Sequence, residues 1–167
     1  LFTSLSCLID PASGAAISVR TILRLLSERG HDVMAFSAAG FDKGQKPSAE
    51  EMLRWSGFKL DRANDLWTLN DGGVVHLAHS VGVHSIRQMN DDTVKEATAR
   101  FRQILDDFRP DAVLTYGATD YESNVRKLLK EAGIASAFYL AHPGYKSHDA
   151  FENVDVVFTD SRATHDL

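Results

Sequence analysis

Four strand-to-helix junctions in this chain carry residues that could meet a ligand, at residues 10–16, 37–41, 116–120 and 141–147. The last holds His142, in the run Tyr139-Leu140-Ala141-His142-Pro143-Gly144-Tyr145. A histidine after a buried strand, followed by a Pro-Gly bend, can donate to a substrate oxygen or carry a proton. Its alternative is a bond to nearby loop backbone. The first junction reads Ser13-Gly14-Ala15-Ala16. Small residues there let a phosphate approach the backbone, and the free N–H groups of a first helical turn attract anions. A purely structural tight turn is the competing reading, because neither a G-x-G-x-x-G fingerprint nor a Walker lysine loop is present. The third junction places Thr119 and Asp120 just after Gly117.

Other chemistries find less support. His76, His79 and His84 have the spacing H-x2-H-x4-H. On one strand His76 and His79 point to opposite faces, so no metal is expected, and a surface or edge role is expected for them. Cys7 lies in an apolar stretch and reads as a small buried hydrophobe. No G-x-S-x-G elbow occurs. Asp10 after the first strand suggests a phospho-acceptor receiver domain, but the acceptor Asp that such a domain needs at its third strand is not found. The balance of 18 Lys and Arg against 23 Asp and Glu gives a net charge of −5. Such a surface repels phosphate backbones, so no nucleic-acid partner is expected. The single cysteine favours a reducing, cytoplasmic setting.

These residues need a scaffold that exposes strand ends. The chain has 167 residues and is 44% hydrophobic, enough for one cored domain. An apolar run from Thr3 to Ile9 predicts a strand. The stripe Val19, Ile22, Leu23, Leu26 predicts a helix stopped by Gly30, and residues 31–37 a second strand. Together they form a βαβ unit, which requires a parallel sheet. A short helix is expected at 48–55. Residues 66–69 and 74–78 flank Asn70-Asp71-Gly72-Gly73, either as a hairpin or as a loop into a further parallel strand. Val94, Ala97, Phe101, Ile104, Leu105 and Phe108 predict a long helix, with Thr93 and Glu96 as its capping box. Thr119 and Glu122 repeat that box ahead of Val125, Leu128 and Leu129. Strands are expected at 111–116, 135–141 and 154–159. The predicted class is α/β: a Rossmann-like three-layer α/β/α domain with a mostly parallel sheet of about six strands.

Several segments together resemble the amino-terminal domain of GT-B fold glycosyltransferases, in particular the retaining "group 1" (family 4) type. Leu26-Ser27-Glu28-Arg29-Gly30-His31-Asp32-Val33 resembles that family's L-x-x-R-G-H-x-V segment. Phe108-Arg109-Pro110-Asp111-Ala112-Val113-Leu114 resembles its x-x-P-D-v-v-h strand entry. Ala141-His142 resembles its strand-terminal histidine, and Asn153 through Ser161 its a-D-x-v-i-x-x-S segment. The first loop departs from the pattern, carrying Ser13-Gly14 where two glycines are frequent. Residues 40–90 match in length only.

The resemblance implies that residues 1–167 are the acceptor-side domain, with a carboxyl-terminal donor domain of the same chain as partner. It implies transfer of a sugar from a nucleotide-sugar donor to an acceptor hydroxyl, without cofactor or metal, and little activity for this part alone. His142 would contact the transferred sugar as the catalytic residue. Ser13, Gly14 and Ala15 would face the donor diphosphate, and Thr119 and Asp120 the acceptor. Arg20 and Arg24 lie one turn apart. A solvated face is expected there, with an anionic acceptor or lipid head group, hence peripheral contact at the inner membrane face, as the alternative. Two other readings stand beside this one: half of a nucleotide-sugar epimerase, and a non-catalytic α/β ligand-binding module.

Overall fold

The structure, a computed structural model, describes residues 1–40, 51, 54–80, 89–142, 144–145 and 148–162. The elements are β1 (Phe2–Ser6), α1 (Gly14–Glu28), β2 (Met34–Gly40), β3 (Asp61–Ala63), β4 (Leu66–Asp71), β5 (Val74–His79), α2 (Asp91–Phe108), β6 (Ala112–Thr115), α3 (Asp120–Ala132), β7 (Ala135–Tyr139), a 3-10 turn (His148–Phe151) and β8 (Val156–Phe158). One sheet holds the strands in the order β3-β4-β5-β2-β1-β6-β7-β8. The sheet therefore has eight strands where about six were expected. The difference lies at its first edge, where β3 and β4 pair antiparallel ahead of β5. The remaining pairings are parallel.

The Gly72-Gly73 segment resolves the ambiguity in the sequence by doing both jobs. It closes a hairpin between β4 and β5, at φ 61° and 86°, and β5 then runs parallel beside β2. Two left-handed residues in succession suit the twist of a two-residue hairpin turn, which glycine adopts without strain. Of the helix expected at 48–55, Glu51, Arg54 and Trp55 are described and helical, and Gly57 follows at φ 81°.

Two helical layers sandwich the sheet. Ala16, Val19 and Leu23 of α1 pack with Phe2, Ala35, Val74 and Tyr139 on one face. Phe101, Ile104 and Leu105 of α2 and Tyr121, Val125 and Leu129 of α3 pack with Leu5, Phe36 and Val113 on the other. Phe101 stacks on Phe36 and meets Tyr121 edge-on, at centroid distances of 6.3 and 6.5 Å. Each such buried ring contributes about 2–3 kcal/mol. These layers make the three-layer α/β/α arrangement of a Rossmann-like domain.

Helix ends follow the predicted signals with one exception. Gly30 (φ 88°) and Gly133 (φ 66°) stand just past α1 and α3. The cap of α2, however, is Asn90, whose carboxamide oxygen accepts the Thr93 N–H at 3.0 Å. The expected Thr93–Glu96 box is displaced because Asn90 takes the cap three residues earlier. Glu96 instead reaches toward His79 of β5.

Candidate functional site

Read from β5 onward, the strand order is that of a doubly wound sheet, and its direction of winding reverses between β1 and β6. In such sheets the carboxyl ends of the strands diverge at the reversal and leave a crevice for ligands. The pairing register shows that divergence. β1 meets β6 only at Phe2–Leu114 and Thr3–Thr115, whereas it follows β2 as far as Ser6–Gly40.

The candidates Ser13, Gly14, Ala15, Thr119, Asp120 and His142 lie at this rim. Ser13 caps α1 after β1, with its hydroxyl facing the Ala16 N–H at 3.4 Å. Gly14 opens the helix, and a Cβ added there would meet nothing within 4 Å. Ala15 follows, half-buried. The first backbone amides of a helix have no partner inside it, so the Gly14 and Ala15 N–H groups are oriented toward this rim. Thr119 caps α3 after β6, and Asp120 is the exposed first residue of that helix.

His142 stands exposed just past β7. Its Nδ1 accepts the Gly144 N–H at 3.0 Å. In the neutral ring that bond puts the hydrogen on Nε2, leaving a donor for a ligand oxygen. The ring lies flat on Tyr145, with centroids 5.0 Å apart and 7° between planes. Tyr145 in turn packs edge-on against Phe138 and tilted against Phe151. Burial raises the pKa of Tyr145, keeping its hydroxyl protonated. Pro143 and Ser147 lie outside the described residues, as does Phe41 at the second junction.

Below the rim sit two further ionisable residues, Glu122 and Arg126, of which the sequence marks only the first. Glu122 is 1% exposed and Arg126 2% exposed. Burial pushes the Glu122 pKa up, against bonds from Leu5 and Thr119 that favour the charged form. Arg126 donates to the Gly117 carbonyl at 3.1 Å and lies over the Phe138 ring at 5.5 Å. Burial lowers its pKa, with the Glu122 charge opposing. The sequence did mark Glu122, as the third residue of a capping box. Nothing local could show that its carboxylate would also reach β1.

The histidine series resolves differently from expectation. His76 and His79 do face opposite sides of β5, but both are buried, at 4% and 0% exposure. His79 Nε2 lies 2.7 Å from Asp65 and 3.6 Å from Glu96. These three donors lie within 4.8 Å of one another, the spacing of a cation site. Arg100, however, holds both Asp65 oxygens at 2.9 Å, and already supplies the positive charge a cation would bring. His84 lies outside the described residues. Arg20 is also occupied rather than solvated: it bonds Asp71 at 2.7 and 2.8 Å, tying α1 to the β4–β5 hairpin. Cys7 is fully buried, as its surroundings predicted, and its thiol is pushed up to about 12.

Other residues of the quoted motifs have structural roles. Asp155 accepts the Ser136 N–H at 2.7 Å and its hydroxyl at 2.9 Å, fixing β8 to β7. The Tyr139 hydroxyl donates to Asp160 at 2.8 Å. A mainly apolar groove of about 720 Å³ lies at the opposite ends of the strands, lined in part by Ile22, Val33, Phe108 and Pro110. It contains none of the candidate residues. No helix among the described residues is long and apolar enough to cross a membrane.

No protein-family model matches the chain, and no curated protein matches it. A solved structure described as trehalose-6-phosphate from E. coli bound with UDP-2-fluoro glucose is similar to it. The identity is 12% and the TM-score 0.49, over 98% of this chain. The chain spans 40% of the length of that protein.

Proposed function

We propose that this chain is the acceptor-side lobe of a GT-B glycosyltransferase, which moves a sugar from a nucleotide-sugar donor to an acceptor hydroxyl. The observation that carries this reading is the gathering of two helix starts and His142 at the carboxyl ends of β1, β6 and β7. Those three strands are neighbours beside the reversal of the sheet. The segments around Gly30, Pro110, His142 and Asp155 support it by their resemblance to that family.

The division of labour follows from the chemistry of each group. As the acceptor oxygen bonds the anomeric carbon, the bond to the diphosphate breaks, that group takes the electron pair, and it also receives the proton the acceptor hydroxyl loses. The Gly14 and Ala15 amides, at the positive end of α1, stabilise the charge that develops there. Ser13 holds that helix start in place. His142, with Nδ1 fixed by Gly144, offers its Nε2 hydrogen to an oxygen of the transferred sugar. Thr119 and the exposed Asp120 carboxylate accept hydrogen bonds from acceptor hydroxyls. A carboxyl-terminal lobe completes the donor side, and no metal takes part.

The test is turnover by the full-length gene product across a panel of UDP-, GDP- and ADP-linked sugars. One or more is consumed, and His142→Ala lowers that turnover by roughly a hundredfold, the scale of a lost proton carrier or oxyanion donor. Failure to bind or turn over any member of the panel would sink the proposal. Binding without turnover would favour a non-catalytic ligand-binding module.

A further inference from the structure

Beyond Thr3 and Thr115 the backbones of β1 and β6 separate, and β6 offers no further carbonyl to β1. The Leu5 N–H next in line finds its acceptor in the Glu122 carboxylate, at 2.8 Å. The same oxygen takes the Ser4 hydroxyl at 3.3 Å. The second carboxylate oxygen takes the Thr119 N–H at 2.9 Å and also the Thr119 hydroxyl. A capping box requires only the Thr119 half of this arrangement. The Leu5 half reaches across 117 residues of sequence to a different strand. Gly117 makes room for it: its φ is 107°, and a Cβ there would stand 2.9 Å from the Glu122 carboxyl carbon. Arg126 holds the Gly117 carbonyl one turn further along α3.

We propose that Glu122 is the positioning residue of the crevice, bridging β1 and the β6–α3 loop. By that bridge the 13–15 turn and the Thr119–Asp120 pair face a ligand as one unit. The proposal rests on the site described above. All four contacts are donors, so the bridge needs a group that accepts on both sides. An ionised carboxylate does so; a glutamine accepts on one side and presents N–H to donors on the other. An aspartate is one methylene too short to span the gap. The bridge thus has a chemical signature that apolar packing lacks.

Amide hydrogen exchange on wild type and Glu122→Gln provides the first test. The glutamine oxygen serves one side only, so protection falls tenfold or more at Leu5 or at residues 117–120 in the variant, while amides of β5 and α2 keep theirs. Unchanged protection at both places overturns the proposal, as does a loss spread evenly through the chain. Gly117→Ala, whose Cβ would push the carboxylate aside, gives the same local pattern should the glutamine variant fail to fold. Lys127→Ala, on the exposed side of α3, changes neither segment.

The second test is kinetic, on the full-length gene product with whichever nucleotide sugar the panel identifies. Glu122→Gln lowers kcat tenfold or more and leaves KM within about threefold, because the groups are present but misaligned. An unchanged kcat in a variant with the altered exchange pattern overturns the positioning role. If wild type turns over no nucleotide sugar, the functional reading fails, and the exchange result alone decides the bridge.

Discussion

His76 shows how a single buried residue ties the fold to pH. Burial lowers its pKa from 6.5 to about 4, opposed by Asp71 and assisted by Arg20, and its Nε2 has no hydrogen-bond partner among the described residues. The unfolded chain takes up a proton near pH 6.5, whereas the folded chain does so only near 4. Stability is therefore complete above 6.5 and is lost as pH falls toward 4, by about 3 kcal/mol from this residue. Urea unfolding between pH 8 and 4.5 checks the sign, and His76→Asn removes that share of the slope. At the rim, Gly144 fixes the orientation of the His142 ring through its N–H. A Cβ at Gly144 would stand 2.9 Å from the His142 Nδ1. Gly144→Ala turns the ring and lowers turnover about tenfold, with a melting temperature within a degree or two of wild type.

Among the elements, the helix ends separate what sequence could show from what it could not. Gly30, Gly133 and the long apolar stripe of α2 are local signals, and each appears in the fold where the spacing put it. The cap of α2 was misplaced by three residues, because Asn90 and Thr93 are both competent caps and only the folded chain sets their order. Asn90→Ala accordingly costs about 1 kcal/mol, read as a shift in the urea midpoint, whereas Glu96→Ala leaves the cap intact. The candidate residues Ser13, Gly14, Thr119 and His142 were legible because the ends of parallel strands are predictable places for loops. Glu122 was legible only as a helix cap. Its bond to Leu5 depends on β1 and β6 becoming neighbours, a fact of topology that no window of sequence contains. The buried His76 and His79 were misjudged because β5 pairs on both sides: β4 covers one edge, β2 the other, and Phe36 of β2 stacks on His79.

At the scale of the molecule, two places compete as the ligand site, at opposite ends of the strands. One is the rim with His142, two helix starts and the bridged crevice. The other is the mainly apolar groove beside Pro110, of about 720 Å³. The enclosed apolar volume favours the groove, whereas the polar groups at the strand ends and the reversal of strand order favour the rim. The most direct measurement is chemical-shift mapping on the isotope-labelled gene product, titrated with whichever nucleotide sugar the turnover panel identifies and with the matching nucleoside diphosphate. Shifts are expected at the Gly14, Ala15, Thr119 and Asp120 amides and in the His142 ring, with the residues around Pro110 unmoved. Shifts confined to the Pro110 groove, with His142 and the two helix starts silent, would contradict it.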